Sequence, residues 1–261
     1  MRDPGGPAIV MALLLIETAI GGVAVLWFAR LWGEVKWGFF KLAGATLAIC
    51  ALLGVWAASA PLLGGQSPAS ARTAIAAGWV FAGALVLWQV LLYAKRFTAA
   101  KYLGWAAVPA GLTCLIAIGI DPASRPGEVL GVLQVLAGAL FAGAALAGLL
   151  LGHWHLVDRT LSRRPIWRMN QAFLAGCVAV IVTAAPTVGS RGAVDASVSP
   201  LLGAGDLVVW LTMGLAALCL VIGLFIRALI KEASLQSATG LFYLAVIMGF
   251  AAEFAAKVRF F

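Results

Sequence analysis

Charge is what this chain has least of. Only 11% of its 261 residues are Asp, Glu, Lys or Arg, against about 25% in soluble proteins. That scarcity excludes an ordinary water-soluble fold, which could not cover so much apolar surface. Histidine is rarer still, with two in the whole chain, so the several spaced imidazoles of a bis-histidine haem bundle are missing. Cys50, Cys114, Cys177 and Cys219 stand far apart in apolar sequence. Without a CxxC pair they form no disulfide or thiolate-metal framework and read as small core residues. The chain has no phosphate-binding glycine loop, no HExxH and no GxSxG. Nor does it carry a continuous basic arm, so the net charge of +8 is no sign of a nucleic-acid partner.

Apolar residues fill the space left by charge. They make up 63% of the sequence, and the mean hydropathy is +1.04. Eight segments approach the ~20 apolar residues that a helix needs to cross hydrocarbon. They are Ala8–Leu31, Leu42–Leu63, Thr73–Tyr93, Tyr102–Ile120, Val129–Leu156, Met169–Val188, Asp206–Ile230 and Thr239–Ala256. The first is too long for the core of a cleaved signal and lacks a small-residue cleavage site, so it is expected to be a permanent span. The expected fold is therefore an all-α integral membrane protein of about eight transmembrane helices arranged as four hairpins. Residues 1–261 form one polytopic domain.

Basic residues give an orientation. Twelve of the eighteen fall in the connections after spans one, three, five and seven, among them Lys36, Lys95, Arg159 and Lys231. Positive charge is retained on the cytoplasmic side, which places both termini outside; a bacterial inner membrane is the expected location. Trp27, Trp32, Trp37, Trp88, Trp105, Trp154 and Trp167 lie toward the same basic side, as expected of an interfacial aromatic belt. The opposite connections, such as Gly64–Ser70, Asp121–Gly127 and Gly189–Gly205, are rich in Gly, Pro and Ser and read as turns. Glycine and alanine within the spans, as at Gly138, Gly143 and Gly148, allow close helix approach. Pro109 is expected to bend the fourth span.

Two places carry candidate chemistry. Glu17 lies near the middle of the first span, too deep to reach water by stretching. A carboxylate there costs about 2.5–3.5 kcal/mol on the insertion scale and ordinarily faces a bundle interior or a watery cavity. It reads either as a proton- or cation-handling group or as a protonated acid bonded to a neighbouring helix. Glu253, with Lys257 four residues on, reads as an ordinary interfacial ion pair. The second place is the polar joint after span five, where His153, His155, Asp158 and Arg159 come together with Trp154 and further arginines. His153 and His155 lie about 200° apart on a helix, so both cannot face one metal ion. A haem held by one histidine and a methionine such as Met169 has little to support it. A quinone carbonyl or a lipid head group suits these imidazoles and cations better; the plainer alternative is histidines bonded to backbone, lipid phosphate or Asp158, with arginines that anchor the topology.

Three functions follow as expectations. First is a non-catalytic membrane subunit of a respiratory or redox complex, contacting quinone, haem or lipid at His153, His155, Asp158 and Arg159. Second is a secondary or proton-coupled transporter using Glu17. Third is an enzyme acting on a lipid phosphate. Membrane lipids and other redox subunits are the expected partners.

Overall fold

The computed structural model describes residues 6–63, 68–120, 127–188 and 205–258. It contains α1 (Gly6–Phe28), α2 (Trp37–Leu63), α3 (Ala69–Tyr93), α4 (Phe97–Gly119), α5 (Glu128–Val157), α6 (Arg164–Ala184), α7 (Gly205–Lys231) and α8 (Leu235–Val258). A short 3₁₀ turn, Ala185–Thr187, prolongs α6. Every one of the eight is long and apolar enough to cross a membrane. The chain is an all-α, multi-pass membrane protein. Most of the Gly- and Ser-rich connections opposite the basic end fall outside the described residues.

The helices on the basic side begin earlier than hydropathy suggests. α2 starts at Trp37 rather than Leu42, α4 at Phe97 rather than Tyr102, and α6 at Arg164 rather than Met169. Hydropathy marks where hydrocarbon starts, whereas backbone hydrogen bonding continues into the polar interface. α6 also has a proline, Pro165, in its first turn, where the missing N–H would have had no helical partner. The turns closing the hairpins are tight. Lys95 and Ala233 take left-handed conformations, with φ of 57° and 63°. Arg96 N–H then bonds back to Leu91 O and Ser234 N–H to Leu229 O, at 2.9 Å each. These bonds satisfy carbonyls that the ends of α3 and α7 would otherwise leave open.

Two helices form the centre. In α1 and α5, 83% and 78% of the apolar span is buried, while no other helix exceeds 50%. α5 packs against α1, α4, α6 and α8. Glycine explains the closeness: a Cβ on Gly21 would collide with the carbonyl oxygen of Ala139, and one on Gly143 with the backbone of Gly21 and Gly22. α4 continues unbroken through Pro109.

The aromatic belt needs correcting. Trp27 and Trp88 are fully enclosed and face other rings instead of lipid. Trp27 stacks on Trp32 at 4.7 Å, and Trp37 on Phe97 at 4.1 Å. Gly104 leaves the space into which the Trp27 ring fits. Large rings contribute more when buried against one another than when half-wetted. Trp105, at the margin of the cluster, stays exposed.

Candidate functional site

The candidate site grows from Glu17. It sits eleven residues into α1, about 17 Å along the axis from the helix start, and none of its surface is exposed. Its partner comes from the other end of the chain. Lys257 Nζ lies 3.0 Å from Glu17 Oε1 and 3.3 Å from Glu253 Oε2. All three side chains are buried, the most exposed at 2%. The pair Glu253–Lys257, expected at the interface, is thus inside the bundle. Lys257 points inward because α8 packs along α5, whose Gly138 leaves room for both carboxylates; a Cβ there would collide with Glu253 Oε2 and crowd Glu17 Oε2.

Fully ionised, these three groups carry one excess negative charge. A proton on either carboxylate makes them neutral. Glu17 Oε2 has no hydrogen-bond partner, which leaves one acceptor free at the centre of the molecule. Unmet charge in low dielectric is expensive, so an arrangement one proton short of neutrality is a natural place for a proton to bind.

Beside the trio lies a small chamber. Glu253 and Lys257 share it with Gln134 of α5, Thr183 of α6, Thr187 and Thr212 of α7. Its volume is about 20 Å³, comparable to the roughly 10–15 Å³ that one water requires. Its polarity has a direction. Thr183 and Thr212 donate their hydroxyl hydrogens to their own helices, at Ala179 O and Val208 O. Gln134 Nε2 donates to Thr183 O at 2.8 Å, and Gln134 Oε1 has no donor. Gln134 Oε1 and the Glu253 carboxylate are thus acceptors set among the apolar side chains of Val180, Ala184, Val208, Val209 and Ala256. Acceptors in an otherwise apolar wall suit a donor such as water or hydronium.

The polar joint behaves differently. His153 is exposed and His155 is buried, as their spacing around the helix requires. His155 Nδ1 lies 2.9 Å from Leu151 O and Nε2 3.0 Å from Ser162 O. Both ring nitrogens therefore face the protein's own backbone and tie the end of α5 to the following turn. Asp158 accepts from the Thr160 hydroxyl at 2.6 Å and pairs with Lys36 at 3.0 Å. The Thr160 hydrogen bond and the Lys36 ammonium hold its carboxyl below the ordinary range. Arg159 is exposed. Asp158 thus meets Lys36 of the α1–α2 connection, and His155 meets backbone. Met169 is fully enclosed. Among the described residues, no three of His, Cys, Asp and Glu are grouped to hold a metal, and the four cysteines are free.

Sequence reasoning found Glu17, read Glu253 and Lys257 as an ion pair but at the interface, and missed the chamber. The available signal was a second carboxylate inside an apolar segment, in a chain with very few. No family model matches this chain, and no curated protein matches it by sequence.

Proposed function

We propose that the protein is a proton-coupled membrane transporter in which Glu17, Glu253 and Lys257 bind and release the coupling proton. One observation carries this reading: two buried carboxylates pair with one ammonium beside a water-sized chamber. Ionisable groups inside membrane proteins commonly mark ion pathways or proton relays. In this scheme the chamber delivers the proton, Glu17 or Glu253 holds it, and Lys257 balances whichever carboxylate stays ionised. The setting is a bacterial inner membrane with the basic end in the cytoplasm, as the lysine and arginine bias supports. A redox subunit holding quinone or haem at the α5–α6 joint draws less support, because both His155 nitrogens already face backbone carbonyls.

The test is proton movement in proteoliposomes loaded with a pH-sensitive dye, with valinomycin clamping the voltage. Wild-type protein is expected to dissipate an imposed pH gradient. Glu17→Gln and Glu253→Gln should each slow this at least tenfold. The variant neutralised at all three positions (Glu17→Gln, Glu253→Gln, Lys257→Met) separates chemistry from architecture. If it assembles and still moves protons at the wild-type rate, the proposal fails.

A further inference from the structure

Two concave surfaces meet at Arg168, and neither involves the buried trio. The first is a pocket of about 330 Å³ between the start of α6 and the end of α7. Arg163, Arg164, Trp167 and Lys231 line it. The Arg227 guanidinium lies 5.0 Å and Lys231 Nζ 6.0 Å from the centre of the Trp167 ring. Arg163 donates to the carbonyl oxygens of Ile230 and Lys231, at 3.2 and 2.9 Å. Arg168 is paired with Glu34. Among the described residues, no carboxylate pairs with Arg163, Arg164, Arg227 or Lys231. Cations gathered this closely repel one another, and an anion among them removes the repulsion.

The second surface is an apolar groove of about 510 Å³. It follows α1 from Ile20 to Ala29, flanked by Leu112 of α4 and Ala172 of α6, and it ends at Arg168. That stretch of α1 is about 14 Å long. Its apolar walls suit a hydrocarbon chain, and the cations that meet it at Arg168 suit an anionic head carried on such a chain.

We propose that the pocket and the groove form one binding site for an anionic phospholipid. Its phosphate rests on Arg164 and Lys231 beside Arg168, and one acyl chain lies in the groove with its end near Gly21. The pocket is at the basic end of the bundle, where basic pockets between helices meet anionic head groups, and the groove runs from Arg168 past the middle of the bundle. Arginine's planar fork can grip two phosphate oxygens at once, which selects phosphate over an uncharged head. This site is separate from the proton site and does not depend on it.

Native mass spectrometry of delipidated protein tests the proposal, using detergent micelles doped with phosphatidylglycerol, with phosphatidylcholine, or with inorganic phosphate alone. Phosphatidylglycerol should be retained at least tenfold more than phosphatidylcholine. The double variant Arg164→Gln, Lys231→Gln, at two exposed positions, should remove that preference while leaving proton movement unchanged. Ala172→Phe, which narrows the groove, should weaken retention of long-chain lipid. Should that variant misfold, a dihexanoyl lipid compared with its long-chain counterpart on wild-type protein replaces it, and weaker binding of the short chain is expected. Equal retention of the two head groups would overturn the site. Inorganic phosphate binding as tightly as the lipid would overturn the role of the groove.

Discussion

Lys257 balances two carboxylates, and that ratio sets what each substitution does to stability. Removing the ammonium by Lys257→Met leaves Glu17 and Glu253 facing each other in low dielectric. Breaking a buried ion pair from one side costs about 3–5 kcal/mol. Replacing all the charged partners by uncharged ones is often neutral or stabilising. Thermal unfolding in detergent is therefore expected to show Lys257→Met well below wild type, with the fully neutralised variant recovering most of the loss. Equal destabilisation of both would mean that the contacts matter through packing rather than charge. Glu17 was legible from sequence because a carboxylate ten residues from either end of a span has no exit to water. Glu253 and Lys257 were not. One helical turn apart near the end of a span, they satisfy each other just as well at an interface, and only the packing of α8 on α5 turns them inward. The joint at His155 and Asp158 was legible as polar, but which backbone carbonyls engage His155 depends on how the turn closes.

At the level of helices, the α1–α5 contact holds the site together. Backbones approach this closely only where Gly21 and Gly143 oppose Ala139 and the backbone of α1. In Gly21→Ala the added methyl meets a carbonyl oxygen, which cannot rotate away as a side chain would. The helices must separate, at a penalty of about 1–3 kcal/mol for overpacking. Such a shift also moves Glu17 relative to Gly138 and α8. A lowered melting temperature together with slower proton movement is expected. An unchanged melting temperature would show that the contact is looser than the geometry implies. The helices themselves were plain in the sequence, because eight long apolar runs in a nearly chargeless chain leave backbone groups no alternative to helical bonding in lipid. Their starts on the basic side were less plain, since Trp37 and Arg164 are helical without being hydrocarbon-embedded. The burial of Trp27 and Trp88 was hidden for another reason: a ring near the end of a span suits a lipid interface and a protein cluster equally.

The molecule as a whole has the chamber beside the trio displaced toward one end. Gln134 sits in the second turn of α5, Thr187 closes α6, and Lys257 lies at the end of α8. Each of these is on the side opposite the basic turns. Toward the basic end, by contrast, α1 continues from Glu17 as Thr18-Ala19-Ile20-Gly21-Gly22-Val23-Ala24-Val25-Leu26-Trp27. Past Thr18, whose hydroxyl bonds to Leu14 O, that stretch offers no hydroxyl, amide or acid for a proton to use. In the proposed scheme a proton reaches the trio from the chamber side, which faces outward with the basic end in the cytoplasm. Orientation can be read by labelling with an impermeant maleimide: Glu128→Cys should react in right-side-out vesicles, and Arg159→Cys only in inverted ones. In vesicles oriented this way, an acid jump applied outside should protonate the trio faster than one applied inside, followed through the carboxyl C=O infrared band that Glu17→Gln removes. Faster protonation from the basic side would reverse the assignment, because a proton arriving there would have to pass the α1 stretch from Ala19 to Leu26, which has no side chain able to hold it.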